Sequence, residues 1–325
     1  MSVLITGGAG FVGLNLAQHL LAQGGNVVLF GPAAPPPATL ASLQAQAPGR
    51  LIIAQGDVRS AGDLDAAIVA HNVFDIVHGA AVTADIDREK RDARGIVEVN
   101  LIGTIEVLEA ALRHDIRRTV QLGTGSIFGA AGNLTATLDE SSSPAIPESL
   151  YGISKYAAER VGLRYRTTRG LNLSIVRLGM VFGRWEYATG VRDTLSLPLQ
   201  LMQFALAGGH AVIPATTGDD WVYATDVAQG LAAMLALDHS PEPIYHLSAG
   251  TRWSIPAWCE KLRQHYPGFS FALSEQLAEC NVARNKAGRR APMNIDRIKR
   301  DADYQPRYLQ DAAFDDYIRW YSTQT

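Results

Sequence analysis

Cysteine is nearly missing from this chain: 325 residues hold two, Cys259 and Cys280. Two thiols make no disulfide framework, and neither stands in a CxxC pair or beside a histidine at ligand spacing, which excludes a cysteine-held structural zinc. An excess of one charge is missing too, since 29 basic residues face 32 acidic ones for a formal net charge of -3. Such a balance excludes nucleic acid as the expected partner. Long apolar runs are also lacking. Stretches such as Asn26 to Phe30 and Leu231 to Leu237 fall far short of the ~18 residues of a membrane span, so no membrane crossing is expected. The residues after Met1 show no basic flank, apolar region or cleavage site of a secretory signal, and a cytoplasmic protein is expected. No internal repeat is present, and the most biased stretch, Gly31 to Pro37, is too short to link independent domains.

What is there is ordinary globular composition, 47% apolar and 19% charged, in a chain long enough for one large α/β unit or two domains sharing a core. Short Val, Ile and Leu runs alternate with longer stretches of apolar residues at three and four spacing. This is the pattern of parallel strands joined by crossover helices. Strands are expected at Val3 to Thr6, Val27 to Phe30, Leu51 to Gln55, Ile76 to His78, Thr119 to Gly123 and Leu173 to Leu178, with helices such as Phe11 to Gln23 and Asn100 to Arg113 between them. The expected fold is α/β, a doubly wound parallel sheet with its ligand at the carboxyl ends of the strands. Beyond about Gly183 the alternation fades, and a smaller lobe is expected to cover the cleft. Residues 1–178 with 222–250 are assigned to the dinucleotide-binding unit, and 179–221 with 251–325 to the substrate lobe.

Thr6-Gly7-Gly8-Ala9-Gly10-Phe11-Val12-Gly13 sets glycines at GxxGxxG spacing between the first strand and the first helix. Thirty glycines in the chain would produce that spacing by chance ~0.26 times, so its position carries the weight. Small residues let the backbone approach a pyrophosphate, and a helix start offers unpaired N–H groups and a positive dipole end. A ribose-binding acid is expected about twenty residues onward, yet the second strand ends at Phe30 and Gly31. No Arg or Lys lies between Gly31 and Gly49 either, which leaves a 2'-phosphate without a partner. NAD is the expected cofactor, with NADP not excluded. Asp57 can accept from an adenine amino group or cap its own turn.

Tyr151-Gly152-Ile153-Ser154-Lys155 opens a helix, which puts Tyr151 and Lys155 on one face. An ammonium one turn away favours the phenolate, which lets a group with pKa near 10 serve as a base. Eleven tyrosines and five lysines give ~0.17 such pairs by chance. This pair, however, comes after Gly123-Thr124-Gly125-Ser126, which ends the fifth strand with hydroxyls at the edge of the sheet.

With these pieces in order, the chain resembles the extended short-chain dehydrogenase/reductase family, which includes nucleotide-sugar epimerases and dehydratases. The likeness runs through TGGAGFVG at 6–13, GDV at 56–58, HGAA at 78–81, Asn100 with Gly103-Thr104, YGISK at 151–155, VRLGMVFG at 176–183 and DDWVYATDVA at 219–228. It implies a Rossmann fold, with Tyr151 as general acid/base, Lys155 orienting it and binding a ribose, and Thr124 holding the reacting oxygen. It also implies that Gly7, Gly10, Phe11, Val12, Gly13, Gly31, Asp57, Val58, Ala80, Ala81 and Asn100 line the cofactor, together with Lys155. By resemblance, the helices from Asn100 and Tyr151 would pair with their twins in a homodimer.

The departures bear on the substrate. Dehydratases of the resembled family carry an Asp-Glu pair where this chain has Gly125 and Ser126, so dehydration is not expected. The Asn and Arg that face a nucleotide diphosphate are replaced by Met180 and Asp219, which argues against a nucleotide sugar. Attention moves to the loop Arg184 to Asp193, where Arg184 or Arg192 suits a small carboxylate and Trp185 can stack on a ring. Arg192 also has Glu186 and Asp193 as local partners. Ser126, Met180, Arg184, Trp185, Arg192 and Asp219 are therefore the expected substrate contacts. The basic stretches Arg88 to Arg94 and Arg284 to Arg290 are expected as solvated faces, and His78 as structural. The chain reads as an NAD(P)-dependent oxidoreductase of a secondary alcohol on a small polyhydroxylated or carboxylated molecule. The alternatives are an epimerase using the same groups, or a cofactor-sensing protein on this fold.

Overall fold

The computed structural model describes residues 2–45, 48–215, 218–283 and 290–323. Strand and helix alternate through β1 (Ser2–Thr6), α1 (Phe11–Ala22), β2 (Asn26–Gly31), α2 (Pro37–Ala45), β3 (Leu51–Gln55), α3 (Ala61–Ala70) and β4 (Val73–His78). Next come α4 (Ile86–Val97), a π-helical turn over Glu98–Ile102, α5 (Gly103–Arg113), β5 (Arg118–Thr124), α6 (Leu150–Arg169) and β6 (Leu173–Leu178). The remainder holds β7 (Met180–Phe182), α7 (Leu197–Leu206), β8 (His210–Pro214), β9 (Trp221–Tyr223), α8 (Ala224–Ala236) and β10 (Ile244–Leu247). It ends with α9 (Ile255–His265), β11 (Ser270–Ser274), α10 (Asp296–Ala302) and α11 (Gln310–Ser322).

Seven strands form one parallel sheet in the order β3-β2-β1-β4-β5-β6-β10. Helices cover both faces, and the strands send apolar side chains to each. Val27 and Leu29 enter one core cluster with α1 and α8, while Val28 and Phe30 enter the opposite one with α3 and α5. The chain winds outward from β1 to β3 and then returns to β4 on the other side of β1. That reversal opens a crevice beyond the carboxyl ends of β1 and β4.

All six expected strands are present, with β4 starting earlier, at Val73. The helix expected from Asn100 differs. It begins as the wider π-helical turn and becomes regular only at Gly103, because Asn100 turns its side chain inward to Val82. The later elements include two pairs of short strands, β7 with β9 and β8 with β11, too brief to show a period. They surround an aromatic core in which the Phe182 ring lies 5.3 Å from each of Tyr223, Trp253 and Trp258. Among the described residues no helix is long and apolar enough to cross a membrane.

Candidate active site

The glycine turn comes directly after β1 and presses against the end of β4. Gly7 has φ +68°, and a Cβ there would stand 2.9 Å from the Ala80 backbone, so only glycine combines this conformation with this approach. A Cβ on Gly13 would meet Gly8 backbone at 3.0 Å, which ties the start of α1 to the turn. Gly10 caps α1 without a side chain and the first turn carries no acid. The leading N–H groups of Phe11, Val12 and Gly13 are thus left for an anion, which fits a dinucleotide pyrophosphate. Ala80 and Ala81 lie half-buried just past β4.

A buried network supports this edge. The Thr6 hydroxyl accepts from Gly79 N at 3.2 Å and Ala80 N at 3.3 Å and meets His78 Nδ1 at 2.8 Å. Thr104 donates to Asn100 O, so its oxygen is left to accept from His78 Nε2 at 2.9 Å, which assigns the Nε2–H tautomer. Burial, with a smaller push from Lys155, lowers the imidazole to about 3 and keeps it neutral. His78 therefore joins β1, β4 and α5 as a strut.

Other expected cofactor contacts are placed differently. Gly31 ends β2, and a Cβ there would have open space within 4 Å. The Asp57 carboxylate is taken by Arg59 through its backbone N–H, Nε and Nη2, and this pairing holds its pKa down. It serves its own turn rather than standing free. Val58 is buried against Gly103. Asn100 is fully buried: Oδ1 accepts from Val82 N at 2.7 Å, and Nδ2 donates to Val82 O and to Ser154 Oγ at 3.0 Å. Its amide positions α6 instead of reaching into the cleft.

Ser149 caps α6 by accepting from Gly152 N, and Tyr151 sits in the first turn, half-buried. Thr124, at the end of β5, and Thr83 stand near enough to its hydroxyl to favour the phenolate, while the Thr124 hydroxyl itself donates to Ser126 Oγ at 3.2 Å. Burial pushes the phenol up, while these hydroxyls and the charges of Arg192 and Arg290 draw it down. The net direction is upward, against the phenolate expected from the sequence, and the charges that draw the phenol down are those of Arg192 and Arg290 rather than Lys155. Lys155 itself is 3% exposed, and burial, opposed by Glu159, lowers it to about 8. Glu159 is engaged by the Arg177 fork at 2.8 and 2.7 Å. Ser154 donates to Tyr151 O and accepts from Asn100, which locks the helix start beneath the phenol.

The loop after β7 crosses the cleft, but its arginines are committed. Arg184 turns its fork to Asp316 on α11, and Trp185 is buried against Trp320 with its Nε1 donating to Gln18. Neither faces Tyr151. Arg192 pairs with buried Glu186 at 3.0 Å and lies 4.9 Å above the Phe11 ring. Tyr187 donates to Ala9 O, and Val191 and Asp193 pair with Thr83, so the loop closes over the glycine turn. Arg88 is no solvated face, because it forks onto Asp193 at 2.7 Å and latches that loop. Met180 and Asp219 stand where β7 and β9 meet: Met180 N donates to Asp220 O, and Asp219 is buried. Ser126 is held beside Thr124, its N–H donating to Thr124 Oγ1.

Of the second basic stretch, residues 284–289 lie outside the described residues, and Arg290 is not solvated either. A Cβ at Gly125 would fall 2.6 Å from its Cζ, so the guanidinium occupies the space beside Thr124 that a side chain at 125 would need. Thr83, Ser154 and Arg290 are the site residues that sequence reasoning passed over. The hydroxyls of Thr83 and Ser154 stood next to recognised motifs, whereas no local pattern marked Arg290.

The dTDP-glucose 4,6-dehydratase of Actinoplanes sp. is 25% identical over 345 residues, covering 99% of this chain and 98% of that protein. Among solved structures, dTDP-glucose 4,6-dehydratase from Streptomyces venezuelae with NAD and TYD bound is 26% identical, with TM-score 0.80 over 99% of this chain and 97% of its own. UDP-glucose 4-epimerase from Thermotoga maritima with UDP-glucose shares the fold at TM-score 0.83 and 17% identity, covering 100% and 99% of the two chains. The family model described as NAD dependent epimerase/dehydratase matches residues 3–248. Glycine turn, parallel sheet and Tyr-Lys helix thus stand inside one matched span, and the chain belongs to the NAD dependent epimerase/dehydratase family.

Proposed function

We propose that this chain uses NAD to move hydride at a secondary alcohol or its ketone on a small polyhydroxylated or carboxylated substrate, without eliminating water. The observation that carries this reading is the placement of Tyr151 on α6 beside Thr124 at the end of β5, one helical turn from buried Lys155. Gly7, Gly10, Phe11, Val12 and Gly13 hold the pyrophosphate, and Lys155 is close enough to neutral pH to remain charged and bind a ribose. When bound, NAD supplies the hydride acceptor. Tyr151, its own proton first given up to solvent, takes the hydroxyl proton as the carbon loses hydride, and returns it in the reverse direction; Thr124 holds the oxygen meanwhile. Elimination lacks its acid and base, because positions 125 and 126 are glycine and serine.

The cover over the glycine turn favours a second reading, an epimerase that retains its cofactor and reduces the same carbon again. Tyr187 on Ala9 and Arg192 over Phe11 both enclose the turn. Nucleotide sugars, which the similar enzymes bind, belong to the substrate panel under this reading. The test is a panel of alditols, sugar acids and nucleotide sugars with NAD, read both for reduced nicotinamide and for product. Reduced cofactor identifies a dehydrogenase and epimer without it identifies an epimerase. Water loss, or no reaction in the whole panel, sinks the proposal.

A homodimer through α5 and α6 belongs to the same reading. Ile102 and Ile153 are 43% and 47% exposed on neighbouring elements, while Leu108 is buried against the sheet.

A further inference from the structure

The guanidinium of Arg290 is held at the reacting edge and has a buried side with no partner. Its backbone is fixed on three strings of contact: Arg290 N donates to Asp219 Oδ1, Ala291 N to Gly132 O at 2.8 Å, and Met293 N to Asp220 Oδ2 at 3.0 Å. Its side chain then lies against Gly125 with Nη1 foremost, and with Cζ and Nη2 2.6 and 3.0 Å from where a Cβ would be. Nε and Nη2 are buried, and among the described residues neither finds a hydrogen-bond partner. Leaving two donors of a cation buried and unmatched is costly, which marks a place for a ligand.

The shape of that ligand is read from the rest of the molecule. Arg88, Arg117, Arg177 and Arg184 each present the same Nε and Nη2 edge to a carboxylate, on Asp193, Asp75, Glu159 and Asp316 respectively. That edge offers two parallel N–H bonds at the spacing of carboxylate oxygens. We propose that the Nε and Nη2 edge of Arg290 receives a carboxylate of the substrate, carried close to the carbon that exchanges hydride. The placement comes from Gly125, which adjoins Thr124 and leaves the guanidinium next to the Thr124–Tyr151 pair. Asp219 and Asp220 add negative charge nearby, Asp220 accepting from Ser248 and Met293. A single carboxylate suits such surroundings better than a doubly charged phosphate group. In the reaction the carboxylate is unchanged: with NAD bound, hydride would leave the neighbouring C–H for the nicotinamide, the hydroxyl proton would pass to the Tyr151 phenolate, and a keto acid would result.

This inference rests on the redox reading of Tyr151, and its test separates the two. Full-length protein with NAD is titrated calorimetrically with matched acid and neutral probes: D-gluconate against sorbitol, D-galacturonate against D-galactose, UDP-glucuronate against UDP-glucose, and inorganic phosphate. In at least one pair the acid is expected to bind about tenfold tighter or more, as a charge-assisted fork should. The pair that shows it tells a free sugar acid from a nucleotide-linked one. Arg290→Met should erase the preference and leave NAD affinity unchanged, and Arg290→Lys should restore it only in part, since an ammonium has no fork. Gly125→Ala, which keeps the charge and displaces the guanidinium, should also weaken the acid. Equal binding of acid and neutral partners, including no binding by either, overturns the proposal. So does a preference that survives Arg290→Met, or binding of phosphate alone. Arg290-dependent binding with no redox product would sink the redox reading and leave the receptor standing. An acid substrate bound and oxidised equally well by Arg290→Met would do the reverse.

Discussion

Tyr151 and Lys155 show how one helix turn makes chemistry out of burial. The phenol is held above its ordinary pKa by desolvation, so proton removal needs help from the nearby Thr124 and Thr83 hydroxyls and from the nearby arginines. Tyr151→Phe should keep NAD binding while turnover falls at least ~100-fold, the usual size of a general acid/base contribution. Near wild-type rates in the Phe variant would remove Tyr151 from the proton-transfer role. Lys155 is lowered from 10.5 to about 8 because folding buries its charge. A lysine whose folded pKa lies below its unfolded one destabilises the fold wherever both states are protonated, and the penalty fades as pH rises between the two values. Lys155→Met should therefore melt higher than wild type at neutral pH while losing activity. The gap in melting temperature should shrink between pH 8 and 10.5. A Met variant that melts lower throughout would show that Lys155 stabilises the fold through contacts rather than straining it.

At the scale of elements, the loop after β7 and the end of β2 decide how the cofactor is kept and chosen. Arg88 on α4 holds Asp193 with both Nε and Nη2 and donates to Gly190 O, joining the loop to the far side of the cleft. Arg88→Ala should free the loop and speed NAD release about tenfold, in line with a lost hydrogen bond to a charged group. Stopped-flow displacement measures this, and an unchanged rate would show that the loop is held without the latch. β2 ends at Gly31, where a side chain meets open space and no acid awaits the ribose. Gly31→Asp should raise the preference for NAD over NADP, read as the ratio of kcat/KM values, by about tenfold through a ribose hydrogen bond and repulsion of the extra phosphate. A native enzyme already strongly selective for NADP would mean that another part of the cleft sets the choice.

Across the whole molecule, the doubly wound sheet leaves α5 and α6 covering one face, with half-buried Leu101, Ile105, Val161 and Leu163 beside exposed Ile102 and Ile153. The proposed homodimer would cover this patch. Light scattering at micromolar concentration should give twice the mass of the chain, and Ile153→Asp should return it to one. A monomeric mass for the unchanged protein removes the dimer.

Local pattern was enough for much of this architecture. Strands covered on both faces send apolar residues to each, so β1 to β6 stand out in the sequence even where buried polar residues such as Asp75, Arg118, Gln121 and Arg177 interrupt them. The glycine turn and the Tyr151–Lys155 pair are also legible, because each is defined by spacing within one turn or one helical repeat. Partners of long side chains are another matter. Arg184, Arg192 and Arg290 look alike in the chain, and only the fold gives the first to Asp316, the second to Glu186, and leaves the third near Tyr151 with a buried edge that has no partner among the described residues. Arg184 and Asp316 lie 132 residues apart. A guanidinium binds whichever carboxylate the folded backbone brings within reach, and that distance is a property of packed elements rather than of sequence spacing.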